Sequence, residues 1–395
     1  MIKGKKYELL APVGSWGSLH AAIDAGADAV YFGIQEFNMR QLGAKNFKIS
    51  DLPKIKKLCG KKIKRYLTLN TIIYDDEIKK LEGVIKKVKP LVNSIICWDL
   101  SVINLCKKYK IPFHISTQAS VSNIEAAYFY KKLGAKRIVL ARELNLKQIK
   151  KIAKIIDVEV FAHGAMCVAI SGRCLMSQFM FGKSANRGEC LQSCRRAYSV
   201  TDSEGRKLKI INKHIMSAKD LCTLPFIEKL KKVGIKAFKI EGRAREPEYV
   251  DTVVRVYRSA LDKKLNNKEI SESIGELKKV YNKGFSSGFY LGIPTNDDFS
   301  KQEHSSATQK KQLVARVDNY YSRVQVAYIK MLSGKLKIGD ELILLHNKKK
   351  MIRHKIERIE INHKSIKSAK KGQEIGIKIP NATKGYKIYL IVKKE

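Results

Sequence analysis

The sequence is short of acidic residues, of proline and of long apolar runs, and each shortage excludes something. Against 78 Lys and Arg stand only 37 Asp and Glu, a formal charge of +41. A surface so poor in acid attracts polyanions and speaks against a simple small-molecule enzyme. Lys outnumbers Arg 61 to 17, however, a skew that compositional bias alone can produce. Eight Pro beside 25 Gly and 44% hydrophobic residues describe a globular core, not a collagen-like or disordered chain. No stretch approaches the roughly 20 apolar residues of a membrane span, and the basic start is followed only by the brief apolar Leu9 to Val13. The expectation is a cytoplasmic protein with no membrane partner.

Three motifs are also missing. No Gly-x-Gly-x-x-Gly follows the first strand, which removes the usual argument for a dinucleotide-binding open sheet. No His-Glu-x-x-His occurs, so the zinc-peptidase signature is absent. No Cys-x-x-Cys knuckle occurs among the clustered cysteines, which counts against a zinc ribbon.

What is present is a βα rhythm. Apolar runs at 7–12, 29–33, 66–71, 94–98, 113–116, 137–140, 158–162 and 237–240 alternate with helical patterns. Near-continuous apolar strands separated by helices indicate a parallel sheet covered on its outer face. Eight within about 240 residues predict a (β/α)8, TIM-like barrel. The rhythm breaks once: about 75 residues separate the seventh strand from the eighth. Long loops of this kind are usually functional, and this one leaves the barrel face where active sites are built. It includes a hairpin pattern, 197–201 and 207–211, around Asp202-Ser-Glu-Gly205. From Gln312 onward the pattern turns to period two, with five or six short strands that suggest a small all-β barrel. The expected organisation is therefore α/β: a barrel over 1–262, a helical connector over 263–310 and a C-terminal β domain over 311–395. That last domain holds 21 Lys and Arg against 7 Asp and Glu, a net of +14, and is the first candidate for contact with a polyanion.

The cysteines are the sharpest feature. Cys59, Cys97 and Cys106 are scattered in apolar settings and read as small buried hydrophobes. The other five crowd into the long loop as Cys167-x6-Cys174-x15-Cys190-x3-Cys194-x27-Cys222. Disulfides are rare in the cytosol, and four thiolates on a long loop suit an iron–sulfur cluster, which tolerates varied spacing. Structural zinc and unmetallated thiols are the competing readings, and spacing leaves open which of the five is spare. Gly164, Gly172 and Gly188 let the backbone bend close to a cluster. Arg173, Arg187, Arg195 and Arg196 interleave with the cysteines, where they would offset thiolate charge, hold an anionic substrate, or simply face solvent.

The run Glu159-Val-Phe-Ala-His-Gly-Ala-Met-Cys167-Val-Ala-Ile-Ser-Gly-Arg-Cys174-Leu-Met-Ser177 closely resembles the signature of the peptidase U-32, or collagenase-like, family. Glu8-Leu-Leu-Ala-Pro-Val-Gly14, Ser217-Ala-Lys-Asp-Leu-Cys222 and Lys239-Ile-Glu-Gly-Arg243 look like further family motifs. With its appended β domain the chain is similar to the branch of tRNA hydroxylation proteins. The resemblance implies a barrel bearing a [4Fe-4S] cluster and oxygen-independent 5-hydroxylation of the tRNA wobble uridine. It implies prephenate as the associated small-molecule oxygen donor, and an electron donor that the motifs leave unnamed. The family pattern maps the cluster ligands onto Cys167, Cys174, Cys190 and Cys222, with Cys194 the alternative for the fourth.

On that resemblance, the strand ends supply candidates around the barrel mouth. His163 is a proton-carrier candidate, or a hydrogen-bonded structural histidine. Glu241 and Arg243 end the eighth strand, with Arg243 suited to a carboxylate of prephenate or an RNA phosphate. Arg142, Gln118 and Asn70, with Arg173 and Arg195 from the loop, are substrate-binding candidates; Glu143 could face the same cavity. The competing functions are a U-32 peptidase, hydroxylation of ribosomal RNA or a ubiquinone precursor, and a non-catalytic RNA-binding protein stapled by zinc. Gly284-Phe-Ser-Ser-Gly288 matches a serine-hydrolase pattern only formally, because it lacks the strand and helix that motif needs.

Overall fold

The computed structural model describes residues 7–208 and 212–394. Positions 209–211, the end of the expected hairpin, lie outside the described residues. Seven parallel strands, β1 (Glu8–Pro12), β2 (Ala29–Phe32), β3 (Lys64–Thr68), β4 (Ser94–Cys97), β5 (Phe113–Ile115), β6 (Arg137–Val139) and β7 (Val158–Gly164), follow one another in register. The insertion adds β8 (Val200–Thr201) and β9 (Lys207–Leu208), which pair as a hairpin, and β10 (Asp220–Cys222). The eighth barrel strand, β11 (Ala237–Ile240), pairs in parallel with both β7 and β1 and closes the cylinder. The (β/α)8 expectation holds, with the bounds of each strand within about three residues of the expected run.

Side-chain alternation explains both layers. One set of positions, including Leu9, Ala11, Val30, Phe32, Leu67, Ile95 and Ile138, faces the helices and joins a single apolar core. Cys59, Cys97 and Cys106 are buried, as their settings suggest. The other set points inward. There Leu10, Tyr31, Tyr66 and Ile96 form a small apolar group, and charged side chains take the remaining space. Glu8 Oε1 meets Arg137 Nη1 at 2.5 Å, the same nitrogen lies 3.3 Å from Glu159 Oε2, and Lys239 Nζ lies 2.9 Å from Glu159 Oε1. Tyr66 donates to Glu8 from above. Barrels usually fill this volume with branched apolar layers; here a compensated ion network does so.

The connector is packed on the barrel: Leu277, from the helix Asn267–Lys279, and Tyr290 belong to the barrel's core. Strand β12 (Phe285–Ser286) adds to β10 in parallel. The C-terminal domain then runs through β13 (Gln309–Tyr321), β14 (Val326–Met331), β15 (Lys335–Lys337), β16 (Glu341–Leu345), β17 (Ile352–Lys355), β18 (Ile359–Ile361), β19 (Lys364–Ile366), β20 (Ser368–Lys370), β21 (Glu374–Lys378) and β22 (Lys387–Lys393). Eight of these form an antiparallel sheet in the order β17-β16-β22-β13-β14-β21-β18-β19, and β15 pairs with β20. They enclose a separate core of Val314, Val317, Ile329, Leu342, Ile375, Ile388 and their neighbours. The three-residue strands β15, β19 and β20 depart from the sequence expectation, since their short Lys- and Ser-rich segments carry almost no apolar period. Lys350–Asp24 (2.8 Å), Lys311–Glu248 (2.6 Å) and Arg353–Asp251 (3.5 Å) tie this domain to barrel helices. Among the described residues no helix is long and apolar enough to cross a membrane.

Candidate functional site at the barrel mouth

The C-terminal ends of the strands surround a narrow cavity of about 60 Å³, whose wall includes Arg40, Asn70, Gln118, Arg142, Cys167, Lys239, Glu241 and Arg243. Inward alternation places Tyr31, Thr68, Ile96, Phe161 and Lys239 there, and the segments after β2, β3, β5, β6, β7 and β11 supply the rest. Met39, Ser171 and Gly172 form its upper edge.

Charge organises one side of the cavity. Glu241 accepts from Tyr31 (3.2 Å) and Arg40 (3.3 Å). Burial alone would raise its carboxyl, but Arg40, Arg243, Arg142 and Lys239 together outweigh that and hold it below the usual carboxylate range. Arg243 is buried and donates from Nη1 to Asn38 Oδ1 (3.0 Å) and Thr68 Oγ1 (2.8 Å). Its burial pulls the guanidinium down to about 10. Arg142 donates from Nη1 to the Ala165 carbonyl (2.9 Å) and lies over the Phe161 ring at 4.5 Å. Its Nε and Nη2 are buried without a partner. Orphaned guanidinium donors in a cavity wall are costly unless an acceptor arrives, and a carboxylate or phosphate matches their fork. Opposite, Gln118 donates to the Asn70 carbonyl (3.1 Å), and Asn70 Oδ1 receives the Met39 amide (3.3 Å). Glu241, Arg243, Arg142, Gln118 and Asn70 therefore do converge, whereas Glu143 is exposed outside the cavity wall.

The insertion is pressed onto this mouth at its glycines. Gly172 has φ +77°, and a Cβ there would sit 2.7 Å from Met39 Cε; at Gly188, φ +91°, it would sit 2.2 Å from the Asn38 carbonyl oxygen. Only glycine fits either place.

Three expected roles need correction. His163 is 1% exposed and faces away from the cavity, packed among the tilted rings of Tyr249, Tyr257 and Phe285, with Nδ1 3.4 Å from the Tyr257 hydroxyl. Strict alternation from Glu159 and Phe161 would turn it inward. Between Lys239–Phe161 and Ile240–His163, however, the register shifts by one residue, and that bulge turns His163 to the helix side. Burial lowers its pKa to about 3, so it is neutral and unsuited to carry a proton. Arg195 spends its donors on the Met166 carbonyl (2.7 Å), Ser217 Oγ (3.2 Å) and the Ala218 carbonyl. It ties the two ends of the insertion to each other and offers substrate little. Arg173, by contrast, holds only a long contact to the Gln118 carbonyl (3.4 Å) near Trp98, and stays available at the rim.

The third correction concerns the cysteines. Cys167, Cys174 and Cys190 lie near enough to Cys194 that, after burial, their charges help raise its pKa, against the opposing pull of Arg195. Cys167 and Cys190 also act on Arg40. Cys222 is not in this group. It sits on β10 opposite His163, buried, with Tyr257 Oη 3.8 Å from its sulfur, and burial pushes its thiol up to about 11. Its side chain packs on the helix side with Tyr257, and it is not part of the cavity wall. The four grouped thiols match a cluster in kind and number. Among the described residues no three His, Cys, Asp or Glu side chains are drawn together at metal-binding geometry, so the loop must tighten to hold one.

Sequence reasoning missed Arg40, Thr68 and Lys239. Lys239 lies within one of the family motifs, and its odd charge inside an apolar strand was the available signal. Arg40 carried none.

Fold and site define a (β/α)8-barrel protein with a cationic, cysteine-flanked pocket at its catalytic face. Residues 14–300 match the model of peptidase family U32, and the chain belongs to that family. Residues 325–386 match a second model, elongation factor Tu domain 2. Among relatives, a protein named collagenase from Porphyromonas gingivalis is 42% identical over 98% of this chain and 99% of its own length. The tRNA hydroxylation protein P1 of Bacillus subtilis is 35% identical over 90% of this chain and 87% of its own. The 23S rRNA 5-hydroxycytidine C2501 synthase of Escherichia coli is 38% identical over 66% of this chain, which spans only 40% of that protein.

Proposed function

We propose that this protein is an RNA-modifying hydroxylase that acts on tRNA, at C5 of the wobble uridine. The carrying observation is the cationic pocket of Arg40, Arg142, Lys239 and Arg243 beside four grouped cysteines, in a chain similar over 90% of its length to a tRNA hydroxylation protein. The reaction replaces C5–H by C5–OH, a two-electron oxidation of the base. Its oxygen is assigned to a small-molecule hydroxyl donor, prephenate, which takes up the same two electrons and the displaced hydrogen as its own C–OH becomes C–H; its two carboxylates suit the free Nε and Nη2 of Arg142 and the neighbouring Arg40. A uridine must leave its stack to enter the recessed mouth, and an anticodon loop already presents unstacked bases.

Cys167, Cys174, Cys190 and Cys194 would hold a [4Fe-4S] cluster, which supplies one-electron transfer when bound. Arg40, charged and joined to Glu241, offsets the negative charge of that sulfur set. Tyr31 donates to the ionised Glu241 carboxylate, so the proton between them stays on the tyrosine. A cytoplasmic location accords with a tRNA substrate.

The peptidase reading finds no geometry to stand on. Among the described residues no Ser or Cys side chain hydrogen-bonds a histidine ring. Ser286, in the formal hydrolase pattern, instead accepts from the Gly288 amide at 2.9 Å, and a nucleophile needs a base within reach. Nucleoside analysis of tRNA from a deletion strain tests the assignment. Loss of 5-hydroxyuridine derivatives, restored by the wild-type gene, supports it; unchanged levels with no redundant enzyme overturn it.

A further inference from the structure

Beyond the pocket, the insertion carries a surface that the chemistry does not use. Its short helix Met176–Phe181 buries only Ser177. Phe179 is 83% exposed, Phe181 is 38% exposed, and the guanidinium of Arg196 lies over the Phe181 ring at 4.9 Å. The helix starts two residues after Cys174, and the Leu191 amide, one residue past Cys190, donates to Ser177 Oγ at 3.0 Å. It is thus fixed to the cysteine segment, whose Cys167, Ser171 and Gly172 form the pocket's edge.

A large aromatic ring left in water is unusual by itself, and bare apolarity would not say what covers it. Charge supplies the missing information. Residues 167–219 hold 10 Lys and Arg against 3 Asp and Glu, so an apolar face here is embedded in positive charge. Exposed rings interleaved with guanidinium groups match the chemistry of unstacked bases on a polyanionic backbone, because every base has a π-face and arginine stacks with both. An acidic protein would also answer the charge, but the two exposed rings, one of them already under a guanidinium, offer the flat π-faces that bases stack on.

We infer that Phe179, with the Phe181–Arg196 pair, forms a stacking platform for the single-stranded nucleotides that flank the target uridine. This rests on the tRNA reading and gives it a specific contact. The target base would enter the pocket while its neighbours lie on the insertion, so the loop that carries the cysteines also measures the RNA.

The test is equilibrium binding of a synthetic anticodon stem–loop to the metal-loaded full chain, by fluorescence anisotropy. Phe179→Ala is compared with wild type and Phe179→Tyr, each checked for unchanged iron content and thermal midpoint. Loss of one stacked base predicts about 5- to 150-fold weaker binding for Phe179→Ala, with Phe179→Tyr close to wild type. On loops made abasic in turn at each nucleotide beside the target, one abasic position should already be without this stacking, so Phe179→Ala weakens it no further. An equal loss on every abasic loop, or no loss on the intact one, overturns the platform alone. If the wild-type chain does not bind the loop, the tRNA reading falls and takes the platform with it.

Discussion

Arg40 and Glu241 meet at 3.3 Å across the barrel mouth although 201 positions separate them in the chain. The pair joins the loop after β2 to the end of β11, and Arg40 also feels Cys167 and Cys190. It is therefore the electrostatic link between the pocket and the cysteine segment. Glu241→Gln removes the charge that positions Arg40 while leaving the shape of the mouth. Turnover should fall by about 10- to 100-fold, in line with the loss of a charge-assisted hydrogen bond, with iron content kept. Single-turnover hydroxylation beside an iron assay checks this; loss of iron in Glu241→Gln would mean that the pair serves the cluster site first.

Arg142 gives a different signature. Its free Nε and Nη2 await an acceptor, so Arg142→Ala should weaken capture of the carboxylate co-substrate. The expected rise in KM for prephenate is about 10- to 150-fold, with a smaller change in kcat. Arg142→Lys should recover only part of this, since a point charge cannot replace the fork. A fall in kcat at unchanged KM would assign Arg142 to the reaction step instead.

The fourth cluster ligand divides the two readings of the cysteines. Cys194 lies with Cys167, Cys174 and Cys190, while Cys222 is buried beside Tyr257. Anaerobically purified wild type should carry about four Fe per chain with visible charge-transfer absorbance. Cys194→Ala should lose most of both, and Cys222→Ala should keep them. One zinc per chain in a colourless sample would sink the cluster altogether.

The barrel was legible because parallel strands buried on both faces must be apolar nearly throughout, so Ala29–Phe32 and Ser94–Cys97 stand out against Lys-rich helices. The site was legible only where a residue ends a strand, as Glu241, Arg142 and Gln118 do. His163 also ends a strand, but one extra residue in β7 reverses its direction, and a bulge leaves no mark in composition. Arg40 lies in a loop whose path depends on closing β11 against β1, information spread over the whole chain. Cys222 and Cys194 were separable only by knowing on which side of β7 the returning strand β10 runs.

Acid should unfold the protein in two stages. His163 is buried and neutral, with its pKa lowered to about 3. Because the unfolded histidine binds a proton near its ordinary value of about 6.5, stability is full above that value and drains as pH falls toward 3. Glu8 is pushed up by burial, but Arg137 and Lys64 outweigh this and bring it from 4.5 to about 2. Its contribution, about 3 kcal/mol, is present above 4.5 and lost as pH falls to 2. Urea titrations at stepped pH should show His163→Gln flattening the upper stage and Glu8→Gln the lower. A mutant curve parallel to wild type through its stage would refute that assignment.

The appended domain bears on how tRNA is held. Its core shares no residue with that of the barrel, so a chain ending at Lys310 should keep the barrel folded and its iron bound. It would lose the net +14 of residues 311–395 together with the ties from Lys311, Lys350 and Arg353. Each phosphate neutralised by a Lys or Arg adds about 0.7 to 0.9 to the slope of log K against log salt. Truncation should therefore weaken tRNA binding most at low salt and flatten the salt dependence by about that amount for every phosphate the β domain had held. Binding to the isolated stem–loop, which meets the insertion, should change less than binding to whole tRNA. An unchanged slope with whole tRNA would confine RNA recognition to the barrel and reduce the charge of the β domain to a lysine-rich surface.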